Sequence, residues 1–238
     1  QLQLLPLSAD LELAFLGQSA DQSRSYFCNL SPIDLEGDWR GLRQIATTLD
    51  DEQAGLAVNA VALAQWHQTH NHCPRCGSPT RVVQAGWVRR CDADGSDHFP
   101  RTDPAVIVAL TNDADELLLA RQVTWAPQQY SVLAGFCEPG EAAESAVARE
   151  VLEESGIAVT EITYLGSQPW PFPASLMLAF AARGAGPIRV DGEEIAEAAW
   201  YSRSALAAAG DAGEVRLPPP ASIAHRMIEQ WYGADLPI

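Results

Sequence analysis

The sequence predicts a mixed α/β protein built in three parts, and three features of the chain support this. Residues 1–68 combine short apolar runs with one long helical pattern, which predicts an N-terminal α/β domain. Residues 69–100 are rich in Cys, His, Gly, Pro and Arg and lack long apolar runs, which indicates a small loop-rich module. Residues 101–238 alternate strand-like and helix-like segments, which predicts a larger α/β domain.

Local patterns predict the individual elements. Apolar residues recur at intervals of three and four over residues 53–67, which predicts a helix. Residues 106–110 and 117–120 are short apolar runs joined by a polar turn, which predicts two strands. A second helix is expected over 142–155, because Gly156 follows it and glycine is common just past a helix end. Further strands are expected near 162–165, 176–180 and 199–201, and a last helix over 222–231.

Composition excludes several classes of function. The formal net charge is −16, and all 15 cationic side chains are arginine. A chain without lysine cannot have the phosphate-loop lysine of Walker-type NTPases or a Schiff-base lysine. The acidic surface also disfavours a general nucleic-acid module, which needs many contacts between cations and phosphates. The chain shows no apolar run long enough to span a bilayer and no basic-then-apolar leader, so a cytoplasmic protein is expected.

The predicted helix over 142–155 carries three carboxylates on one face. Glu150, Glu153 and Glu154 lie at i, i+3 and i+4, so they share one side of a helix with 3.6 residues per turn. Like charges this close destabilise a helix unless a cation neutralises them. Carboxylates and substrate phosphate oxygens are the ligands that Mg²⁺ or Mn²⁺ prefers. Taken alone, the run could equally be a solvated acidic face.

The segment around these carboxylates has a more specific pattern. It reads GFCEPGEAAESAVAREVLEESGI and matches G-x5-E-x7-R-E-U-x-E-E-x-G-U, with U apolar, at every defined position. Seven fixed residue types coincide by chance at about 10⁻⁸ per start position. The chain therefore resembles the Nudix hydrolases, which implies an α/β/α sandwich with a mixed sheet and hydrolysis of a nucleoside diphosphate linkage. The matching residues are Gly135, Glu141, Arg149, Glu150, Val151, Glu153, Glu154, Gly156 and Ile157.

This resemblance implies roles for individual residues. Glu150 and Glu154 are expected to ligate Mg²⁺ or Mn²⁺ with help from Glu153, while Arg149 orients the carboxylates and Glu141 lies in the preceding loop. The backbone carbonyl of Ala134 can contribute, and Glu154 or Glu194 is expected to position or deprotonate water. Similar enzymes take a further ligand from a later glutamate, for which Glu194 is the first choice, with Glu193 and Glu197 as alternatives.

A proline-rich segment narrows the substrate. Residues 167–175 read SQPWPFPAS, which predicts either a rigid extended loop suited to a planar ring or a turn packed on the core. The segment is similar to the SQPWPFPQS signature of the NADH pyrophosphatase family, apart from Ala174. This implies cleavage of NADH or NAD⁺ to nicotinamide mononucleotide and AMP, and removal of NAD caps from RNA. The alternatives are another nucleotide substrate, such as ADP-ribose or a nucleoside triphosphate, or a noncatalytic dinucleotide sensor.

The same resemblance implies the substrate contacts and a homodimer. Phe136 is expected to stack on adenine, and Phe99 to reach in from the partner subunit, although either aromatic could simply pack in a core. Arg43 is expected near the substrate, with a surface ion pair as the alternative. The full set of expected contacts is Arg43, Phe99, Phe136, Gln168, Pro169, Trp170, Pro171, Phe172, Pro173, Ala174, Ser175 and Ala224.

The cysteine-rich module predicts a second metal site. Cys73 and Cys76 have C-x2-C spacing, and fourteen residues separate Cys76 from Cys91, so three thiolates can converge on a structural Zn²⁺. The family has a second C-x2-C here, and this chain has Asp94 at the fourth position, so a zinc-ribbon-like insert is expected. Asp94, His98, His72 or a water remain candidates for the fourth ligand. Cys28 and Cys137 are expected to be small buried hydrophobes.

Overall fold

The computed structural model describes residues 2, 4–6, 12–31, 36–190 and 192–236. The chain divides into two compact units. The first comprises Gln1–Thr102 and Trp170–Ala174, and the second comprises Asp103–Pro169 and Ser175–Ile238. Across the described residues, every helix is too short or too polar to cross a membrane. The domain boundaries at residues 68 and 100 remain a prediction.

The first unit begins with a β-hairpin covered by a long helix. Strands β1 (Leu13–Gln18) and β2 (Ser25–Asn29) pair antiparallel, and helices α1 (Leu42–Ile45) and α2 (Asp51–Thr69) follow. Helix α2 begins after Asp50, whose side chain accepts a hydrogen bond from the Gln53 amide at 2.8 Å, a typical N-cap. Ala14, Leu30 and Leu63 form a small core between the hairpin and α2. The helix predicted over 53–67 is confirmed.

The cysteine-rich module forms a three-stranded antiparallel sheet. Strand β4 (Val88–Cys91) lies between β3 (Thr80–Val83) and β5 (Asp97–His98). Arg89 on β4 is buried, and it donates to the Thr80 hydroxyl at 2.7 Å and to the Thr80 carbonyl at 2.8 Å. A third bond, 3.0 Å long, joins Arg89 to Nδ1 of His67 on α2. This network ties the small sheet to α2 within the first unit.

The second unit is built on one mixed sheet. Its strands are β6 (Asp103–Thr111), β7 (Leu117–Gln122), β8 (Leu133–Phe136), β9 (Thr160–Trp170), β10 (Ser175–Arg183) and β11 (Ile195–Tyr201). The strand order is β11-β7-β6-β10-β9, with β8 also paired to β6. Strands β6 and β10 are parallel, whereas β6 pairs antiparallel with both β7 and β8. The predicted mixed sheet is confirmed.

Helices cover both faces of this sheet. On one face, Val147 and Val151 of α3 (Ala143–Ser155) pack with Val106 and Val108. On the other face, α4 (Arg203–Asp211) and α5 (Ile223–Tyr232) pack on a second core that includes Ile107. Because successive residues of a strand point to opposite faces, β6 supplies alternate side chains to the two cores. The result is the predicted α/β/α sandwich.

Several elements differ from their predicted extent. Strand β8 and helix α4 were not predicted, and β9 continues five residues beyond its predicted end at Leu165. Helix α4 has nine residues, four of them alanine, which is a short stretch for an argument from periodicity. Strand β9 contains Gly166 and Pro169, which local rules treat as strand breakers. Pairing with neighbouring strands overrides these local signals.

Candidate active site

Helix α3 presents its three predicted glutamates to different surroundings. The helix ends at Gly156, which has φ of 73° and is therefore left-handed. Glu154 is 3% exposed. The side chain of Glu153 is 59% exposed, and that of Glu150 is 12% exposed. The helical spacing places the three carboxylates on one face, but their exposure differs. Glu154 is buried, Glu150 is nearly buried, and Glu153 is open to solvent.

Arg149 organises these carboxylates. Its Nη1 donates to Glu150 at 2.8 Å and to Glu153 at 3.0 Å. Its Nε and Nη2 form a two-point contact with Glu141, with both distances 2.8 Å, and Nη2 also donates to the Phe136 carbonyl at 2.9 Å. The planar guanidinium suits such two-point binding of a carboxylate. One arginine thus holds three carboxylates and the end of β8 in fixed positions.

Glu150 occupies a space that only glycine at position 135 leaves open. A Cβ atom added to Gly135 would overlap the carboxylate of Glu150. Burial raises the pKa of Glu150, and the charges of Glu153 and Glu194 raise it further, while Arg149 opposes them. Glu194 lies in the segment before β11, and its charge is among those that raise the pKa of Glu150. A bound cation would relieve this repulsion.

Two of the later glutamates, Glu194 and Glu197, have different surroundings. A bulge in β11 between Ile195 and Glu197 shifts the strand register, so Glu197 lies opposite Arg121 of β7. Glu197 forms an ion pair with Arg121 at 3.6 Å. Burial and a hydrogen bond to Glu197 raise the pKa of Tyr130 to about 12. Tyr130 belongs to the core under α4 and α5, so Glu197 faces away from α3. Glu194 is a later glutamate whose charge raises the pKa of Glu150.

The ligands predicted for this site are oxygen donors: the carboxylates of Glu150, Glu154 and Glu194, and the backbone carbonyl of Ala134 on β8, one residue before Gly135. Among the described residues, the ligand atoms of three or more Cys, His, Asp or Glu side chains come within 4.8 Å of one another only in the cysteine-rich module. Oxygen ligands from carboxylates and carbonyls are those that Mg²⁺ and Mn²⁺ take, whereas zinc prefers sulfur and nitrogen. The space beside Gly135 is taken by the Glu150 carboxylate, whose repulsion by neighbouring carboxylates a cation would relieve.

The proline-rich segment is part strand and part turn. Residues 167–170 complete β9, residues 171–174 form the turn, and Ser175 begins β10, where it is 8% exposed. The peptide bond between Phe172 and Pro173 is cis. The Gln168 side chain donates to the Ala221 carbonyl at 2.8 Å and accepts from the Ile223 amide at 2.7 Å. Its amide therefore fastens β9 to the start of α5.

Arg43 lies against the aromatics of this turn. Its guanidinium carbon is 4.3 Å from the centre of the Phe172 ring and 5.4 Å from that of Trp170. The two rings meet edge to face, with centroids 5.2 Å apart. These are cation–π distances. The structure thus brings Arg43, Trp170 and Phe172 together within the first unit, and a surface ion pair is not what holds Arg43.

The remaining predicted contacts fall into exposed and buried groups. Phe99 is 65% exposed and Phe136 is 57% exposed, so neither aromatic packs in a core. Ala224 on α5 is 5% exposed and belongs to the core beneath that helix. Pro169 and Pro173 are exposed, Pro171 is buried, and Ala174 is half-buried.

The cysteine-rich module holds a second cluster of potential ligands in two similar turns. The ligand atoms of Cys73, Cys76, Cys91 and Asp94 all lie within 4.8 Å of one another. In the first turn the Gly77 amide donates to the Cys73 carbonyl at 2.9 Å, and in the second the Gly95 amide donates to the Cys91 carbonyl at 3.1 Å. Asp94 therefore occupies the position in the second turn that Cys76 occupies in the first.

The shell around this cluster orients Asp94. Ser96 donates to its Oδ1 from the hydroxyl at 2.6 Å and from the amide at 2.9 Å, and these bonds hold the pKa of Asp94 well below its usual range. The other oxygen, Oδ2, faces the Cys73 sulfur at 3.8 Å. Burial opposes ionisation of Cys73, but hydrogen bonds from the amides of Arg75 and Cys76 outweigh it and lower its pKa to about 6. His98 contacts Ser96 at 3.1 Å, one layer further out.

The other candidates for the fourth position lie outside this cluster. His72 contacts Asn71 at 2.7 Å, and His98 is not among the four grouped ligands. Cys28 packs partly against the small core near α2, and Cys137 packs partly against the core beneath α3. Sequence analysis missed the roles of Gly135 and Ser96, although the repeated pattern C-x-x-C-G-S and C-x-x-D-G-S could have indicated both turns.

Family comparisons agree with this architecture. The NUDIX domain model matches residues 101–219, and the model of the NADH pyrophosphatase zinc ribbon domain matches residues 68–99. A crystal structure of a NUDIX hydrolase from Nitrosomonas europaea superposes with a TM-score of 0.51 at 20% identity, covering 69% of this chain and 94% of that one. That likeness concerns the fold. The mixed sheet and the carboxylate helix define the second unit as a Nudix domain.

Two relatives, of which the match covers 70% and 72%, narrow the family. The chain is 43% identical over 220 residues to the NAD-capped RNA hydrolase NudC of Mycobacterium bovis, covering 87% of this chain and 70% of that protein. It is 42% identical to the NAD-capped RNA hydrolase NudC of Stutzerimonas stutzeri over 86% of this chain and 72% of that protein. The chain belongs to the Nudix hydrolase family, in the NADH pyrophosphatase branch that carries a zinc ribbon before the Nudix domain.

Proposed function

We propose that this protein hydrolyses the diphosphate bridge of NAD(H), and of NAD joined to an RNA 5′ end, in a reaction that needs a divalent cation. Water adds to one phosphorus, the bridging P–O bond breaks, and nicotinamide mononucleotide and AMP (or AMP-ended RNA) leave. The observation that carries the proposal is the carboxylate cluster of α3, which Arg149 holds through bonds to Glu141, Glu150 and Glu153. The zinc ribbon and the NudC relatives support the choice of substrate.

Glu150, Glu154, Glu194 and the Ala134 carbonyl are the groups proposed to hold Mg²⁺ or Mn²⁺. When bound, the cation neutralises phosphate charge and lowers the pKa of a coordinated water. Gly135 leaves the space that Glu150 needs, and Arg149 prevents Glu150 from turning towards solvent. Glu153 is more open and is proposed to assist at the rim. A buried carboxylate such as Glu154, or Glu194 at the loop, is the proposed acceptor of the water proton.

Substrate binding is proposed to use the aromatic and proline-rich segments. The exposed ring of Phe136, next to the carboxylate cluster, is available to stack on adenine. Arg43 keeps Trp170 and Phe172 in one arrangement, and Gln168 fixes the strand that leads to them. Pro169, Pro171, Pro173, Ala174 and Ser175 shape the same segment, and Ala224 lies on the helix that Gln168 helps to anchor. Gln168 and Ala224 are thus proposed to position the site as well as to line it.

A substrate panel tests this function. Purified protein is incubated with NADH, NAD⁺, ADP-ribose or dGTP, each with Mg²⁺ and with Mn²⁺, and products are separated by chromatography. Nicotinamide mononucleotide and AMP in equal amounts, with kcat/KM highest for NADH or NAD⁺, are expected. A higher kcat/KM for ADP-ribose or dGTP would overturn the substrate assignment. Binding of NADH without turnover in either metal would instead make the protein a sensor.

The second metal proposed is a structural Zn²⁺ held by Cys73, Cys76, Cys91 and Asp94. Zn–S bonds near 2.3 Å place two sulfurs of a tetrahedral site about 3.8 Å apart. Cys76 and Cys91 are 3.6 Å apart. The matching turns support Asp94 over His98, His72 or water as the fourth ligand, because Asp94 replaces the second cysteine of its turn.

Cobalt substitution tests this ligand set without relying on activity. The charge-transfer absorption of the Co²⁺ form should correspond to three thiolates, and Asp94→Cys should raise it to four. Asp94→Ala should weaken metal binding about 10-fold or more. His98→Ala and His72→Ala serve as matched controls that retain the metal. Loss of metal in either histidine variant, with retention in Asp94→Ala, would contradict the assignment.

A homodimer in which Phe99 enters the neighbouring active site is also proposed. The exposure of Phe99 supports this, since a large aromatic left open is common where a partner docks. Light scattering should give twice the chain mass of 25.7 kDa. Phe99→Ala should raise KM for NADH, whereas Trp87→Ala, another exposed aromatic of the first unit, should not. A monomer with unchanged KM for Phe99→Ala would rule out the shared site.

A further inference from the structure

A β-bulge interrupts strand β11 shortly after Glu194. Two steps along β11, from Ile195 to Glu197, match a single step along β7, so Ala196 is an extra residue. Ile195 and Ala198 both contribute to the core beneath α3. Residues an odd number of positions apart face opposite sides of a regular strand. The bulge therefore places these two residues on one face and turns Glu197 to the other.

Arg121 of β7 contacts this bulge from the neighbouring strand. It lies directly opposite Glu197 in the sheet, and its Nη2 is 3.6 Å from a carboxylate oxygen of that residue. Burial raises the pKa of Tyr130 to about 12, as does a hydrogen bond to Glu197, whereas a hydrogen bond to Arg121 opposes both. Tyr130 is 5% exposed and belongs to the core under α4 and α5. Three polar side chains thus meet on that face of the sheet.

An arginine at position 121 is unfavourable for stability. Its side chain is 18% exposed, and within the described residues its Nε is buried with no hydrogen-bond partner. A buried donor that loses water without gaining a partner destabilises the folded state. An apolar side chain avoids this cost, as Leu117 and Leu119 do on the same face of β7. Such a buried polar group calls for a role other than stability.

The backbone of Glu194 is held on the other side of the bulge. Its carbonyl accepts a hydrogen bond from the Val123 amide, just beyond β7, at 2.9 Å. The bulge is therefore fastened to the same segment twice, through the backbone at Glu194 and through the side chain at Glu197. After burial, the charge of Glu194 is among those that raise the pKa of Glu150. Bulges are common beside active sites, where they redirect a side chain.

We propose that Arg121 is a positioning residue: through Glu197 it holds the bulge of β11 in place, and the bulge directs the Glu194 carboxylate towards the cation of the carboxylate cluster. This rests on the proposed function, in which Glu194 is a metal ligand. Arg121 acts from the opposite face of the sheet and is not a ligand itself. Without its charge the bulge can shift along β7, and Glu194 moves with it. Groups that orient a metal ligand change metal affinity by about 10-fold to 100-fold.

Mn²⁺ binding tests this inference without a reaction. The purified full chain is titrated with Mn²⁺, and the free ion is measured by electron paramagnetic resonance. Arg121→Met, which keeps the length of the side chain, should weaken Mn²⁺ binding about 10-fold, and Arg121→Lys should restore most of the loss. Arg183→Met makes the same change on β10, where the arginine forms surface ion pairs, and should bind Mn²⁺ normally. Unchanged affinity in Arg121→Met, or an equal loss in Arg183→Met, would overturn the inference.

Thermal stability separates positioning from a merely structural role. Arg121→Met removes a buried donor that has no hydrogen-bond partner within the described residues, so its melting temperature should stay the same or rise while Mn²⁺ binding weakens. A melting temperature that falls together with Mn²⁺ affinity would make Arg121 a structural residue and contradict the inference.

A double-mutant cycle shows whether the effect passes through Glu194. Glu194→Gln alone should weaken Mn²⁺ binding, and the addition of Arg121→Met should then change it little, because the two residues act on one ligand. Glu197→Gln should reproduce the effect of Arg121→Met. Additive losses would mean that Arg121 acts on another group. Tighter Mn²⁺ binding in Arg121→Met would make Glu197 a ligand that Arg121 competes for, and this too would overturn the inference.

Turnover distinguishes failure of this inference from failure of the proposed function. Arg121→Met should raise the Mn²⁺ concentration for half-maximal NADH hydrolysis about 10-fold, with KM for NADH unchanged at saturating Mn²⁺. If Glu194→Gln weakens Mn²⁺ binding and Arg121→Met does not, the ligand set stands and only this inference fails. If Glu194→Gln leaves Mn²⁺ binding unchanged, the proposed ligand set is wrong and the inference falls with it.

Discussion

The carboxylate cluster of α3 and the cysteine cluster of the ribbon differ in the atoms that they offer to a metal ion. The first is proposed to collect oxygen donors from one helix and one later loop, and the second brings together three sulfurs and one oxygen from two matching turns. Arg149 braces the first, with Glu153 left open, while Ser96 and backbone amides brace the second. The oxygen site is suited to an ion that also binds substrate, and the sulfur-rich site to one that is fully enclosed by protein.

This difference predicts whether a substitution will change turnover or stability. A change in the carboxylate cluster should act on turnover and leave the fold intact, because its charges repel one another in the absence of a cation. A change in the cysteine cluster should act on stability, because metal binding adds folding free energy to a module whose three strands are two to four residues long.

Substitution of Glu154 should separate the two sites most clearly. Glu154→Gln keeps the shape of this buried side chain but removes its charge. We expect kcat for NADH to fall about 100-fold or more, as when other charged groups at a reaction centre are lost, with the melting temperature unchanged. Steady-state kinetics measures turnover, and calorimetry measures the binding of NADH. Glu144→Gln on the same helix is the control. Unchanged turnover in Glu154→Gln would remove this residue from the mechanism.

A single methyl group at position 135 should disturb the oxygen site through geometry alone. Gly135→Ala places a Cβ where the Glu150 carboxylate lies, so Glu150 has to move. A displacement of about 1 Å can reduce turnover about 100-fold. We expect a loss of about 10-fold to 100-fold and a higher Mn²⁺ requirement, read from a metal titration of activity. Gly55→Ala, where no atom lies within 4 Å of the added Cβ, should be silent. Equal turnover in the two variants would show that the space beside Gly135 does not position Glu150.

The cysteine cluster should respond in the opposite way. Cys91→Ser removes a buried thiolate from the proposed zinc site, and we expect zinc content to fall and the melting temperature to drop by about 4–8 °C. Turnover of the protein that remains folded should change little, because no reacting group is touched. Zinc analysis, thermal melts and activity at low temperature measure this. Cys28→Ser, outside the cluster, should keep its zinc. A large loss of turnover without loss of stability would reverse the proposed division of roles.

The smallest effect is expected from the pH dependence of stability. Hydrogen bonds from Arg149, and from the Glu138 amide, lower the pKa of Glu141 to about 2 from its ordinary value of 4.5. A lowered pKa stabilises the folded state above pH 4.5, and this contribution is lost as the pH falls towards 2. Glu141→Gln should therefore flatten the fall in melting temperature over this range, by no more than about 4 °C. An unchanged slope would show that Glu141 is not held by Arg149 in solution.

Much of the second unit was predictable because its signals are local. The intervals of three and four that place Glu150, Glu153 and Glu154 on one face depend only on helix geometry, and α3 ends at Gly156 as expected. The strands β6 and β7 follow from short apolar runs. In contrast, β8 and α4 lack strong local signals and depend on the sheet and the core against which they pack. Local propensity is weak compared with such pairing.

The sequence alone determined the kind of chemistry, since the residue types and their spacing along one helix and two short turns do not depend on the rest of the chain. Only the tertiary structure decided which distant groups join them. It brought the charge of Glu194 to bear on Glu150 and turned Glu197 to the other face through a bulge in β11. It also placed Arg43 on Phe172, and Glu150 in the space left by Gly135. These contacts join residues far apart in the chain, and their geometry is fixed by how strands and helices pack, which spacing along the chain does not encode.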